Sequence, residues 1–114
     1  FQDKMVLCAS SAYEKKFYLN ENFEGLPQHV KDELKIMCVL FTEDVGGVLS
    51  LEFDENGNLE LNTSADEGDL LYDEIGSVLK IKQMQQEKQE LFESLETYYK
   101  VFFLGDDIED DNGE

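Results

Sequence analysis

The 114-residue chain has no arginine and no tryptophan, a single histidine and a single proline, and its nine lysines stand against 27 aspartates and glutamates, for a formal charge of -18 at pH 7. Each scarcity excludes something. Without a guanidinium there is no bidentate fork for a phosphate or a guanine edge, and so acidic a surface repels nucleic-acid backbones and anionic headgroups. Neither nucleic acid nor membrane is therefore an expected partner. No apolar run approaches the ~20 residues that a membrane span needs; the longest covers residues 36–41. The chain opens with no basic segment, long apolar segment or small-residue cleavage site, so a cytoplasmic protein is expected. A first residue other than Met points to a clipped N-terminus, and no function is rested on Phe1 or Gln2.

Chemical motifs are as sparse. Cys8 and Cys38 each sit in an apolar run, which suits small buried hydrophobes in a reducing compartment better than a disulfide framework, although a bridge between them stays open. His29 lies on a polar stretch just after Pro27, and with two scattered cysteines it makes too small a set for structural zinc and a poor catalytic pair. The stretch 54–58 (DENGN) begins like a calcium-binding loop, but that loop wants a glycine at its sixth position and a glutamate at its twelfth, where Leu59 and Ala65 stand. Residues 77–80 (SVLK) match a serine–lysine pattern by chance, since the accompanying elements are missing. No glycine-rich phosphate loop is present. No catalytic residue, cofactor or metal ligand is therefore assigned.

What is present is enough for one core: 41% hydrophobic residues, with eight Phe and five Tyr, in a chain of single-domain length. Residues 4–9 (KMVLCA) and 13–19, where Phe17 and Leu19 alternate with polar neighbours and Tyr18, read as two strands around a turn at 10–12. Pro27 then announces a helix over about 27–42, with Val30, Leu34, Met37 and Phe41 at three-to-four-residue spacing and Gly46-Gly47 as its stop. Leu49, Leu51 and Phe53, a turn at Asn56-Gly57, and Leu59 and Leu61 form the clearest signal, an antiparallel hairpin with one wet face.

From 70 to 104 the chain looks helical almost throughout, with Asp69 as the expected N-cap. One straight helix of 35 residues would run ~50 Å and overhang its domain, so a break is expected near Gly76 or in the polar stretch 82–90, unless the protruding part packs on something else. Ile81, Met84, Leu91, Leu95, Tyr98 and Phe102 form one seam, with Lys88 its polar member. Phe92, Tyr99, Val101, Phe103 and Leu104 add apolar surface on other faces, more than a helix lying on one sheet needs. That surplus fits either a helix end wedged in its own core or an interface centred on Leu91, Leu95, Tyr98 and Phe102. Beyond Gly105 the chain is a like-charge run, read as a solvated tail.

The stretches 7–18 (LCASSAYEKKFY), 34–40 (LKIMCVL) with Thr42-Glu43-Asp44, and 73–77 (DEIGS) resemble a family of small acidic proteins of unknown function from anaerobic gut bacteria, over residues 5–104. The resemblance implies a bacterial, intracellular, single-domain protein and brings no activity, cofactor or site residue with it. The expected architecture is an α+β domain over 1–104, with an acidic tail at 105–114. Two hairpins, 4–19 and 48–63, form an antiparallel sheet of about four strands in ββαββα order, packed against two helices of which the C-terminal one is long. The leading expectation for function is a non-catalytic interaction or adaptor protein, partnered by another protein or by itself as a homodimer through the C-terminal helix. The alternatives are a small-molecule or divalent-metal-binding domain, possibly an enzyme, using carboxylates in 66–74, and an anionic mimic of nucleic acid.

Overall fold

The computed structural model describes residues 4–105; the acidic run 106–114, and with it the tail reading, lies outside the described residues. Strands β1 (Met5–Ser11) and β2 (Lys16–Leu19) are followed by a short 3-10 turn at Glu21–Phe23 and by helix α1 (Gln28–Val45). Strands β3 (Val48–Phe53) and β4 (Leu59–Ser64) come next, then helices α2 (Glu74–Glu87) and α3 (Gln89–Phe102). The expected α+β class and four-stranded antiparallel sheet are present, with strand order β2-β1-β3-β4. Because α1 separates the two hairpins in the chain, their inner strands β1 and β3 can pair at the centre of the sheet.

The alternation in β3 puts Leu49, Leu51 and Phe53 in the core, whereas Leu59 and Leu61, on edge strand β4, are half-buried. In β1 the register against β3 shifts between Val6 and Cys8, and both Leu7 and Cys8 are fully buried. Asn20 answers that irregularity: its side-chain amide donates to the Val6 carbonyl at 2.7 Å and its backbone N–H to the Leu7 carbonyl at 3.0 Å. Helix α1 lies on β1, β2 and β3 through Leu34, Met37, Cys38, Phe41 and Val45. It runs three residues past the expected end at Thr42, because Gly46 takes φ 87° and so supplies the left-handed stop, its N–H bonded to the Thr42 carbonyl.

The C-terminal half departs from the expectation of one long helix. Residues 70–73 are not helical: the Asp73 N–H is held by the Val45 carbonyl at 2.9 Å, and Asp73 rather than Asp69 is the N-cap, accepting from the Gly76 N–H at 2.8 Å. Gly76 thus sits in the first turn of α2 instead of breaking a helix. The break comes in the polar stretch, at Lys88, which ends α2 and begins α3. Each helix is 14 residues long, so among the described residues the order is ββαββαα with three α-helices. Lys88 reaches back to Glu33 on α1 at 2.8 Å, which accounts for a lone cation in an otherwise apolar seam.

Helix α3 is anchored by rings. Tyr99 stacks on Phe53 of β3 with centroids 4.2 Å apart and planes within 5°, Phe103 lies 4.8 Å from Phe23, and Phe23 lies 5.7 Å from Phe53. The β3–β4 turn fits under the same helix end: Gly57, at φ 87°, would bring a Cβ to 2.7 Å from the Lys100 side chain. Only glycine gives both the turn and the clearance.

Candidate interaction surface

The four residues expected to form an interface on α3 have different environments. Leu95 is 2% exposed and belongs to the core together with Phe92 and Tyr99; Leu91 and Tyr98 are half-buried against it; Phe102 is 70% exposed and rests on Tyr98 with centroids 4.8 Å apart. The surplus apolar surface on α3 therefore has a local explanation. It closes the aromatic core over Phe23 and Phe53, and of the four residues Phe102 alone faces solvent.

The exposed apolar surface lies elsewhere. Leu70 and Leu71, just before α2, are 94% and 92% exposed, and Ile75, Val78 and Leu79 project from α2, of whose residues only Ser77 is buried. Ile36 and Leu40, one turn apart on α1, are also exposed. Between α1 and α2 runs a groove of about 570 Å³, with Ile36, Leu40 and Met84 among its walls. Ile75, Leu79 and Gln83 follow one another at four-residue steps on α2, and Gln83 lines the groove, so the apolar stripe of α2 leads into it. Helical periodicity hid this surface. On α1 the core stripe Val30, Leu34, Met37 and Phe41 explained the helix, and Ile36 and Leu40, lying outside that stripe, are the signal that a second face exists.

Charge frames the groove. Asp32, Glu33 and Glu87 line it, and its lysines are engaged, Lys80 with Asp44 at 2.8 Å and Lys88 with Glu33 at 2.8 Å. Asp44 beside Lys80 holds that ammonium's pKa above its ordinary value. The edge of the groove is acidic and its walls are largely apolar.

The carboxylates of 66–74 have local work. Tyr13, in the β1–β2 turn, donates its hydroxyl to Asp69 at 2.6 Å and accepts the Asp66 N–H at 2.8 Å, tying this loop to the N-terminal hairpin. The Tyr13 hydroxyl, with the Leu71 N–H, holds the Asp69 carboxyl below its usual range. Among the described residues no group of three or more His, Cys, Asp or Glu is arranged to hold a metal ion. The 54–58 segment is a hairpin turn whose Asp54 carboxylate accepts the Asn56 and Asn58 N–H groups at 2.9 Å each, which lowers its pKa. Ser77 is buried between the Tyr72 hydroxyl and the Glu74 carbonyl.

Cys8 and Cys38 are free, fully buried thiols with their sulfurs 3.9 Å apart, and the Cys38 contact together with burial pushes the Cys8 thiol far up, away from the reactive thiolate. His29 is exposed at the start of α1 and so is not placed to activate either one. No helix among the described residues is long and apolar enough to cross a membrane.

A model of a protein family described as a family of unknown function, DUF6145, matches residues 4–107. No curated protein matches the chain, and no solved structure does.

Proposed function

Since the chain belongs to DUF6145, a family to which no activity is attached, we propose from the geometry that it is a non-catalytic interaction protein, and that its docking face is the α1–α2 groove with the stripe of α2 rather than α3. One observation carries this reading: Ile36 and Leu40, both more than half exposed, line an acid-edged groove, and the exposed Ile75 and Leu79 lead toward it along α2, while the apolar residues of α3 are largely used in the core. Contiguous exposed apolar surface rimmed by polar groups is the usual mark of a docking site. Its sign selects the partner. Asp32 and Glu87, the groove's carboxylates outside an ion pair among the described residues, on a chain of charge -18 favour a basic amphipathic helix from another protein, whose apolar stripe enters the groove and whose lysines or arginines meet the rim. A second copy of so acidic a chain would bring like charges together, so the homodimer through Leu91, Leu95, Tyr98 and Phe102 ranks behind it.

A labelled leucine–lysine amphipathic peptide, titrated by fluorescence anisotropy against wild type and a Leu40→Glu/Leu79→Glu variant, separates docking from plain charge attraction. Docking in the groove predicts binding at least tenfold weaker in the variant. Attraction to net charge alone predicts tighter binding, because the variant is two charges more acidic, and that result would sink the proposal. Sedimentation of the wild-type protein alone tests the homodimer reading, which expects a mass twice that of the 13.1 kDa chain.

A further inference from the structure

Four of the nine lysines are held in ion pairs: Lys4 with Glu60, Lys31 with Glu24, Lys80 with Asp44 and Lys88 with Glu33. The other five have no ion-pair partner among the described residues, and three of them, Lys15, Lys16 and Lys35, line one cleft of about 730 Å³ where the β1–β2 turn meets α1. In a chain with three carboxylates for every lysine, that gathering runs against the composition. Glu43 and Asp44 also line the cleft, but Asp44 is already bound to Lys80, which leaves three ammonium groups against one carboxylate without an ion pair. The volume falls within the ~300–1,000 Å³ typical of small-molecule sites. This cleft and the α1–α2 groove share no lining residue.

Its other walls complete a recognisable chemistry. Phe17 and Val39 supply apolar surface. Ser11 accepts the Glu14 N–H at 3.2 Å on its hydroxyl oxygen and keeps its own proton to donate. Beneath, Ser10 and Thr42 are bonded at 2.9 Å, and the Thr42 hydroxyl can donate a hydrogen bond to the Cys38 or Val39 carbonyl, so the floor is satisfied without a ligand and stays in place when one enters or leaves. Lys15 is the one described non-glycine residue at positive φ, 55°. Glycine would adopt that backbone at less cost, yet the position carries a cation that lines the cleft.

We propose that this cleft is a binding site for a small phosphate monoester, a dianion whose charge meets Lys15, Lys16 and Lys35, whose oxygens accept from Ser11, and whose organic part lies on Phe17 and Val39. Lysine is a point charge that contacts phosphate without the planar fork of arginine, so the absence of arginine does not weigh against it.

The test is an amide NMR titration at fixed ionic strength with phenyl phosphate as the probe and benzoate as the carboxylate control. Saturable shifts at Ser11, Lys16 and Val39, a Kd of about 1 mM or tighter, and at least tenfold weaker binding in Lys15→Gly/Lys35→Gln support the site. Lys15→Gly relieves the left-handed backbone, and the unliganded spectrum reports directly whether the variant is folded. A Lys4→Gln/Lys82→Gln variant removes the same charge outside the cleft and is expected to bind like wild type. The proposal is overturned by a non-saturating, salt-like response or by equal weakening in both variants; benzoate binding as tightly as phenyl phosphate overturns the phosphate class.

Discussion

Helices α2 and α3 have the same length and are separated by a single residue, yet they use their apolar side chains in opposite ways. On α3, Phe92, Leu95 and Tyr99 are buried and Tyr99 stacks on Phe53; on α2, Ser77 is the one buried residue while Ile75, Val78 and Leu79 face solvent. The difference comes from what lies beneath each helix. Helix α3 packs on β4 of the sheet and on the rings at residues 23, 53 and 103, whereas α2 packs on the outer side of α1 and ends where α3 begins. Apolar content alone therefore does not tell an interface from a core: α3 is rich in large apolar residues because it closes the molecule, and α2 is the helix left uncovered.

The largest test of that contrast pairs Phe53→Ala with Leu79→Ser in urea denaturation. Removing a fully buried ring is expected to cost about 3–5 kcal/mol, and the exposed leucine to change stability by less than about 0.5 kcal/mol; equal costs would break the comparison. A smaller effect sharpens it from the α2 side. Asp73→Ala leaves the Gly76 N–H without its cap and should cost about 1 kcal/mol, read as a lowered Tm with the rings around Phe53 unchanged in near-ultraviolet circular dichroism.

The smallest expected effect concerns the loop that leads into α2. Asp69 has a depressed pKa because Tyr13 donates to it, so its contribution to stability is complete above the ordinary carboxyl value of 3.8 and is lost as pH falls through the lower folded-state value. The Tm advantage of wild type over Asp69→Asn should therefore persist from neutral pH down to about pH 4 and vanish below it. An advantage that does not change with pH would show that the Tyr13 bond does not depend on the charge of Asp69.

The sheet was legible in the sequence because alternation needs only a wet face and a dry one, which Leu49, Leu51 and Phe53 against Ser50 and Glu52 display without reference to anything distant. Helix α1 was legible for a similar reason, with its start at Pro27 and its stop at Gly46 both local signals. The C-terminal half was not. Helical propensity ran on through 70–73, and what overrode it was tertiary: the Val45 carbonyl on the Asp73 N–H, and the loop held by Tyr13 from the far end of the chain. The break at Lys88 falls within the expected polar stretch, and there Lys88 is paired with Glu33, a contact that periodicity does not show. Periodicity likewise groups Leu91, Leu95, Tyr98 and Phe102 on one seam without showing that Leu95 is buried and Phe102 exposed. A seam read along one helix does not reveal what covers it, and here residues distant in sequence do. The lysine cleft escaped notice because Lys15, Lys16 and Lys35 come from two separate elements and look, one at a time, like solvated surface.

The ring cluster of Phe23, Phe53, Tyr99 and Phe103 also sets a timetable. Its members come from the 3-10 turn after β2, from β3, and from α3 and its C-cap, so during synthesis the two hairpins and α1 can assemble while their aromatic side is still open. Only when α3 arrives are Phe23 and Phe53 covered, which makes its docking the step that converts a sticky nascent sheet into a closed domain.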